Sequence, residues 1–436
     1  MPEPVAQTLG PLVRALLGTE SPVAIRFWDG SSMGPDVDLT DGPHAAVLVR
    51  SPDAIRRLLY APNELGLARA YVVGDLDIDG DVYTALSIRE ALADPHDRVD
   101  FGLSWLDRLK ALGAARKVGA FGRPLPPPEE EARLGGRLHS KARDEAAIAH
   151  HYDVGNDFYR LVLGPTYTYS CAYFATADGN LDDAQRAKYD LICRKLGLKE
   201  GMRLLDVGCG WGGMVLHAAE HYGVRAVGIT LSREQHALAT QRVADAGLAG
   251  RVEVRVQDYR DVDDGPFDAI SSIGMFEHVG MDSLNEYFTK LYSLLPPEGR
   301  LLNHGISRPA GPSPIDTTSF IARYVFPDGG LHEVGTVVSA MQGQGFEVRD
   351  VESLREHYAL TLRSWVRNLE ANWDEAQALV GPRRARIWRL YMAACARNFE
   401  AGRTSIHQVL GVRRSPVGAS GIPLRREEWL TSRATN

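Results

Sequence analysis

The sequence has few cysteines and no long apolar run. Its 436 residues contain four cysteines (Cys171, Cys193, Cys209 and Cys395), and none stands in a CxxC pair. This spacing indicates neither a zinc site nor a disulfide scaffold, and free thiols fit a reducing compartment. No apolar segment approaches the roughly 20 residues that span a bilayer, and the N-terminus MPEPVAQTLG lacks the regions of a secretory signal. We therefore expect a cytoplasmic protein.

Positive charge is not in excess either. The net charge is −7 at pH 7, which argues against a nucleic-acid binder that relies on overall charge. The histidines show no HxH or HExxH spacing, so a metal site is a poor fit. With 44% hydrophobic residues, the chain is long enough for two domains with a large core.

The chain divides by texture into four regions. Residues 1–123 combine short strand-like runs with helical patterns, which predicts a small α+β domain. Residues 124–140 contain four prolines and three consecutive glutamates and are predicted to form an exposed linker. Residues 141–410 alternate strand-like and helix-like segments, which predicts an α/β domain with a mostly parallel sheet and helices on both faces. Residues 411–436 are predicted to form a partly ordered tail.

A glycine-rich loop follows the strand-like run LLDV. Gly208, Gly210 and Gly212 stand at alternate positions after Asp206. At the carboxyl end of a parallel strand, such a loop lets the backbone approach a ligand closely. Because the acid precedes the glycines, the pattern differs from the GxGxxG dinucleotide fingerprint. It resembles the first motif of class I methyltransferases, which bind S-adenosylmethionine (AdoMet); a tight turn without a ligand is the alternative.

The next two strands carry further candidate AdoMet contacts. The second strand, RAVGI, is followed by Thr230 rather than by the acid that usually binds the ribose, so Gln235 is the candidate replacement. After the third strand, Asp258 and Tyr259 stand where methyltransferases hold the adenine ring. An aspartate accepts from the exocyclic amine and a tyrosine packs on the ring.

An aromatic-rich segment, HHYDVGNDFYRLVLGPTYTYSCAYF (150–174), precedes the glycine loop. Aromatic faces suit a sulfonium cation or a developing carbocation, whereas a core cluster would not need the interleaved hydroxyl, thiol and acid groups. Together with SSIGMFEHVG (271–280), LNHGI (302–306) and REHYALTLRSW (355–365), it resembles the cyclopropane-fatty-acid synthase family over nearly all of residues 141–410. The N-terminal domain is similar to that of the phospholipid-acting two-domain branch, which includes 10-methylene fatty acid synthases.

This resemblance implies a class I methyltransferase, Rossmann-like fold and a specific chemistry. The AdoMet methyl group is added to the cis double bond of an unsaturated phospholipid acyl chain, and bound bicarbonate deprotonates the carbocation in a dry pocket. The implied catalytic groups are Cys171, Glu277, His304, the backbone of Ile306, and Tyr358. The AdoMet contacts are predicted to be Tyr169, Ser170, Gly208, Gly210, Thr230, Gln235, Asp258, Tyr259 and Ile273. Four histidines beside these motifs stay unassigned: His150, His151, His278 and His357.

The product and two other functions stay open. Loss of a proton gives a cyclopropane, whereas a prior hydride shift gives a 10-methylene chain, which a partner reductase would convert to a methyl branch. The chain has 7 lysines and 42 arginines, which suits a GC-rich genome and does not decide between the products. The other functions are an O- or N-methyltransferase of a small molecule, with Glu277 or His304 as the base, and an inactive lipid- or AdoMet-binding module.

Two segments are candidates for docking on a membrane. Residues 104–123 carry apolar side chains at helical spacing with five basic residues against one acid, which is typical of a helix on an anionic surface. A helix packed on its own domain with a solvated basic face is the alternative. The chain from Arg355 onward has fourteen arginines against seven acids and is the second candidate. We expect peripheral docking at the inner face of the membrane, and the resemblance implies a homodimer.

Overall fold

Two units, each built from separate parts of the chain, make up the fold. The computed structural model describes residues 3–17, 23–39, 42–89, 105–132, 154–311, 319–326 and 330–431. The first unit comprises Met1–Arg133, Asp316–Pro327 and Val380–Ala394, and the second comprises Leu134–Ile315, Asp328–Leu379 and Cys395–Asn436. The division thus differs from the predicted continuous domain over residues 141–410.

Helices and strands alternate along much of the described chain. The helices are α1 (Val5–Leu17), α2 (Pro52–Tyr60), α3 (Glu64–Val73), α4 (Val82–Leu86), α5 (Trp105–Lys117), α6 (Asn156–Leu163), α7 (Leu181–Leu196), α8 (Gly213–Tyr222), α9 (Arg233–Asp245), α10 (Leu284–Ser293), α11 (Phe320–Tyr324), α12 (Val334–Gly343), α13 (Arg355–Ala371), α14 (Trp373–Val380), α15 (Pro382–Glu400) and α16 (Arg426–Thr431). The strands are β1 (Ala24–Phe27), β2 (Ser32–Met33), β3 (Ala45–Val49), β4 (Leu76–Gly80), β5 (Arg203–Val207), β6 (Arg225–Thr230), β7 (Val252–Val256), β8 (Ala269–Ile273), β9 (Arg300–Arg308), β10 (His332–Glu333), β11 (Phe346–Ser353) and β12 (Ser405–Arg413).

The first unit is built around a four-stranded mixed sheet in the order β2-β1-β3-β4. β1 and β3 are parallel, and the two outer pairs are antiparallel. Phe27, Val49 and Tyr71 lie in its hydrophobic core, and Leu390 of the later segment packs against the same core. The Arg386 guanidinium also donates to Asp77 Oδ2 at 2.9 Å. These contacts explain why residues 380–394 belong to this unit.

The predicted exposed linker is wrong at Glu131, which is buried. Arg69 donates to both Glu131 carboxylate oxygens, at 2.8 and 2.9 Å, and the Tyr324 hydroxyl lies 3.3 Å from Oε2. A bidentate guanidinium satisfies a buried carboxylate well, so one of the three consecutive glutamates leaves the solvent. The same contact holds the Asp316–Pro327 segment in the first unit.

The second unit contains the predicted α/β methyltransferase fold. Its sheet has the order β11-β12-β9-β8-β5-β6-β7, and β10 pairs with β9. The strands from β9 to β7 are parallel, and β12 runs antiparallel to both of its neighbours. Leu204 and Leu205 of β5 point into separate hydrophobic clusters, because successive side chains of a strand face opposite sides. The sheet is therefore covered on both faces, as predicted.

The C-terminal segment is more ordered than predicted. β12 runs past residue 410 to Arg413, and α16 follows with Trp429 buried in one of the two clusters. The Arg426 guanidinium donates to Asp350 of β11 at 3.0 Å. A strand paired on both edges and an anchored helix therefore occupy much of the predicted tail. None of the helices in the described ranges is long and apolar enough to cross a membrane.

The segment that follows β8 packs closely against β9. A Cβ built on Gly305 of β9 would come within 1.8 Å of Phe276 Cε1. Phe276 is buried and starts the short 3-10 helix Phe276–His278 after β8. The glycine of the NHGI motif thus provides the space in which this aromatic ring packs.

We expect Gly305→Ala to lower the free energy of unfolding by about 1–3 kcal/mol, because overpacking a core usually costs this much. The ring cannot move aside without leaving its buried site. Gly335→Ala is the control, because Gly335 is helical with no atom within 4 Å of the added Cβ and alanine favours helix. Urea unfolding measures both variants, and equal stabilities would contradict the contact.

Candidate active site

A pocket opens at the carboxyl ends of β5, β6, β7 and β8 in the second unit. It is lined by the glycine loop, by the aromatic segment from Tyr167 to Ser170, and by residues that follow the four strands. All nine predicted AdoMet contacts lie in its wall. Ligands of open α/β sheets bind at this edge, so the structure brings these nine residues together where a ligand would lie.

The glycine loop has the backbone that its sequence predicts. Gly208 and Gly210 have φ values of 77° and 53°, in the left-handed region that other residues rarely adopt. The N–H groups of Gly208 and Cys209 donate to Ile229 O of β6 at 3.0 and 2.9 Å. Asp206 is buried and accepts from Ser271 Oγ at 2.6 Å, and its burial raises its pKa to about 6.

The predicted residues after β6 and β7 have contacts within the protein. Thr230 Oγ1 donates to Gln235 Oε1 at 2.8 Å, which orients the amide at the wall of the pocket. Tyr259 packs edge to face on Tyr287, with 4.8 Å between ring centroids. The Asp258 carboxylate already accepts from the Arg260 guanidinium at 2.8 and 2.6 Å. Asp258 therefore lines the pocket with its oxygens held by a cation.

A continuous series of aromatic rings leaves the pocket. Ring centroids lie 4.7 Å apart for Trp211 and Tyr159, 5.8 Å for Tyr159 and Tyr169, and 5.2 Å for Tyr169 and Trp365. Trp365 in turn meets Tyr358 edge to face at 6.0 Å. Tyr358 thus joins the predicted catalytic set to the predicted AdoMet site through aromatic contacts.

One face of α13 anchors the segment that holds Cys171. Thr361 Oγ1 accepts from Ala172 N–H at 3.0 Å, and His357 Nδ1 accepts from Phe174 N–H at 3.0 Å. Cys171 is fully buried, and its burial raises the pKa of the thiol far above the usual value. Its sulfur lies 3.2 Å from Ala172 O. The residue is therefore a neutral thiol, and His357 has a structural contact in place of an assigned role.

Glu277 and Ile306 are brought together, though in an unexpected way. Glu277 Oε1 accepts from the Ile306 N–H at 2.7 Å, so this backbone donor, implied for an anion, is held by the carboxyl group. Burial raises the pKa of Glu277 to about 7. Near neutral pH a large fraction of Glu277 is protonated and able to donate a proton or a hydrogen bond.

His304 is fully buried on β9 beside Gln408 of β12. Its Nδ1 lies 3.1 Å from Gln408 Nε2. Burial, followed by the charge of Lys188, lowers the pKa of His304 well below its usual value, so the ring is neutral. Among the described residues, His304 Nε2 and Glu277 Oε2 are both buried without a hydrogen-bond partner. In the tautomer in which Gln408 donates to Nδ1, the ring proton is on Nε2.

Of the three other histidines that the sequence left unassigned, His278 lies among the described residues. His278 lines the pocket, although the sequence left it unassigned. His150 and His151 lie outside the described residues. The five predicted catalytic groups lie outside the wall of the pocket, which fits a site next to it rather than within it.

Three residues of the site were missed by the sequence analysis. Trp211 stands inside the glycine loop, and Trp365 inside REHYALTLRSW, so both were visible as large side chains within motifs. Lys188 of α7 also lines the pocket and is fully buried. Its signal is a lysine on the apolar side of an amphipathic helix, between Gln185 and Ile192.

The pKa of Glu277 gives a prediction for stability. Because this pKa lies at about 7 against an ordinary 4.5, the buried carboxylate destabilises the fold above pH 4.5, and the penalty is complete above pH 7. Glu277→Gln removes it. We expect the advantage of the variant in unfolding free energy to grow by roughly 3 kcal/mol between pH 4.5 and 8.

Urea unfolding at both pH values measures this difference. Glu253→Gln is the control, because the Arg255 side chain lowers the pKa of this exposed carboxyl group, so the sign of its small pH effect is opposite. A Glu277→Gln advantage that does not change with pH would show that Glu277 titrates normally.

The family profile described as Mycolic acid cyclopropane synthetase matches residues 139–409. A probable fatty acid methyltransferase of Mycobacterium tuberculosis is 45% identical over 420 residues, which cover 93% of this chain and 94% of that protein. The cyclopropane-fatty-acyl-phospholipid synthase of Escherichia coli K12 is 36% identical over 369 residues, which cover 84% of this chain and 87% of that protein.

A solved structure agrees with these similarities. Mycolic acid cyclopropane synthase CmaA1, complexed with SAH and CTAB, is 38% identical, with a TM-score of 0.58 over 62% of this chain and 98% of that one. This match covers less of the chain than the two full-length relatives do. The chain therefore belongs to the cyclopropane-fatty-acyl-phospholipid synthase family of AdoMet-dependent fatty acid methyltransferases.

Proposed function

We propose that this enzyme transfers one carbon from AdoMet to the cis double bond of an unsaturated acyl chain in a phospholipid. The observation that carries the proposal is the pocket whose wall contains all nine predicted AdoMet contacts, joined by aromatic rings to Tyr358. The E. coli relative is named for a phospholipid substrate, and CmaA1 was solved with SAH.

The residues of the pocket fit AdoMet. Gly208 and Gly210 remove side chains where the backbone meets a ligand, Gln235 offers an oriented amide, and Tyr259 offers a ring face. When bound, AdoMet supplies an electrophilic methyl group on a sulfonium centre. The aromatic faces of Tyr169 and Trp365 stabilise positive charge and exclude water from the reacting chain.

The proton leaves through the groups beside the pocket. Glu277 Oε2 and His304 Nε2 have no partner within the described residues. Protonated Glu277 is a buried donor, and His304 is a second one in the tautomer that carries its proton on Nε2. Both fit a small oxyanion. When bound there, bicarbonate supplies the proton acceptor. The neutral Cys171 thiol and Tyr358 complete the proposed set without adding charge.

The first test is the lipid product. We expect purified protein, AdoMet and oleoyl phospholipid vesicles to give acyl chains that gain one carbon, measured by mass spectrometry. Proton NMR then distinguishes a cyclopropane, with upfield ring protons, from a methylene branch, with vinylic protons, which would imply a partner reductase. AdoMet binding without any lipid product would contradict the proposal and favour a small-molecule methyltransferase.

Glu277→Gln is the matched variant for this assay. We expect it to lower the rate by about 100-fold or more, as for loss of an acid–base group, with unchanged affinity for S-adenosylhomocysteine. Titration of bicarbonate with the wild-type protein provides the second arm. A rate that is independent of bicarbonate would contradict the proposed proton acceptor.

We propose α5 as the surface that docks on the membrane. Its small residues Ala111 and Ala115 are buried, whereas Trp105 and Leu109 are 69% and 56% exposed. Exposed basic residues of the helix flank them: Arg108, Lys110, Arg116 and Lys117. Large apolar groups beside basic ones suit an anionic bilayer surface. A homodimer would present this face twice and raise avidity.

The second docking candidate is less well suited. Several arginines after Arg355 already pair with acids, including Arg363 with Glu400 and Arg426 with Asp350. Lys110 and Lys117 of α5 also meet acids, but at 3.5 and 3.8 Å and with 70% of each lysine side chain exposed, so their charge stays accessible to a membrane. We therefore place the peripheral contact on the first unit.

Vesicle flotation tests this assignment. We expect Trp105→Ser/Leu109→Ser to weaken binding to phosphatidylglycerol vesicles by about tenfold or more, since each burial contributes roughly 1.5–3 kcal/mol. Leu424→Ser is the control, because Leu424 is also exposed but lies in the C-terminal segment. Loss of binding in the control, with none in the double variant, would move the docking site to that segment.

A further inference from the structure

Two fully buried lysines lie on the same helix, α7. Asn180 caps its first turn by accepting from the N–H groups of Asp182 and Asp183, and Gly197 ends it in the left-handed region. Lys188 and Lys195 are both completely buried. A buried ammonium group is costly unless it is paired with an anion. Each lysine therefore needs a partner.

Lys195 has its partners within the protein. Its Nζ lies 3.0 Å from Asp350 Oδ2 and 2.5 Å from Glu352 Oε2. Arg426 joins the same two carboxylates from the other side, at 3.0 and 3.3 Å. Two cations and two anions thus balance in this cluster, and Lys195 is a structural residue.

Lys188 differs, because the described residues place no carboxylate at ion-pair distance from it. Its Nζ donates to Ser170 Oγ at 3.0 Å and lies 3.9 Å from the centroid of the Tyr189 ring. An ammonium group has three donors, so one acceptor satisfies it only in part. Its burial lowers the pKa of Lys188 to about 7, although Cys171 and Asp206 act in the opposite direction.

The position of Lys188 indicates which group would be its anionic partner. Lys188, Ser170 and Asp206 all lie in the wall of the proposed AdoMet pocket. A cationic and an anionic side chain in one wall complement an amino acid, which carries a carboxylate and an ammonium group. Asp206 already accepts from Ser271 and retains a second oxygen.

We propose that Lys188 binds the carboxylate of the methionine part of AdoMet, donating to it together with its hydrogen bond to Ser170. This proposal rests on the proposed AdoMet site and names the group that recognises the amino acid end of the ligand. The bound carboxylate is the anionic partner of Lys188, as Asp350 and Glu352 are the anionic partners of Lys195. Lys188 is accordingly a ligand-binding residue rather than part of the core alone.

The test compares two ligands that differ in one group. Isothermal titration measures binding of S-adenosylhomocysteine and of its descarboxy analogue, in which hydrogen replaces the carboxyl group. We expect Lys188→Met to weaken binding of the first by about 10- to 100-fold, the usual range for hydrogen bonds to a charged group. Binding of the analogue should change by less than about threefold. Lys188→Gln is the second variant, should the first not fold.

Gln185→Met is the matched control. Gln185 lies one turn before Lys188, is fully buried, and donates to Ser170 O at 2.9 Å, so its loss disturbs the same segment without removing charge. We expect both ligands to weaken equally in this control. An equal loss of both in Lys188→Met would make Lys188 a positioning residue and overturn the proposal.

Two other outcomes also decide the question. If Lys188→Met binds S-adenosylhomocysteine normally but needs more bicarbonate for activity, the lysine serves the other anion and the proposal is wrong. If the wild-type protein binds neither ligand, the proposed AdoMet site itself fails. Only a selective loss of the carboxylate-bearing ligand supports the assignment.

Discussion

Removal of water from ionisable groups is the constraint on which the second unit depends. Asp206, Glu277, His304 and Lys188 are all buried near the carboxyl edge of the sheet, and burial moves the pKa of each toward its neutral form. Among the described residues, each of these side chains makes one hydrogen bond, to a neighbouring side chain or to a backbone N–H. A carbocation on an acyl chain would require the same exclusion of water. Exclusion of water therefore shifts these pKa values and also suits the proposed chemistry.

Helix α7 connects this region with the rest of the unit. Its apolar residues Ile192 and Leu196 pack in the core under the sheet, while its two buried lysines reach different surroundings. Lys195 joins α7 to β11 through charge, and Lys188 lines the pocket. Because α7 carries both core residues and a residue of the pocket wall, variants of this helix need a control for folding.

The sequence predicts the elements better than their contacts. The strands in the sheet of the second unit are short apolar runs bounded by turns, and the backbone of the glycine loop follows from its own glycines. Both were therefore predictable. The bond between Glu277 and Ile306 and the Arg260 partner of Asp258 were not. Nor was the burial of Lys188 with no carboxylate at ion-pair distance among the described residues. They depend on side-chain geometry that periodicity does not record. The two late segments of the first unit likewise join it through contacts such as Arg386 to Asp77, far apart in sequence.

The orientation of α5 has a consequence for how the protein can vary. The helix packs its alanines inward and turns its large side chains outward, so its outer face contributes little to the stability of its own unit. Substitutions at Trp105 or Leu109 can therefore alter the affinity of the proposed docking face for a membrane with little change in folding free energy. Under the proposed docking role, adaptation to membranes of different composition can proceed on this face separately from the second unit, whose buried ionisable groups allow far fewer changes.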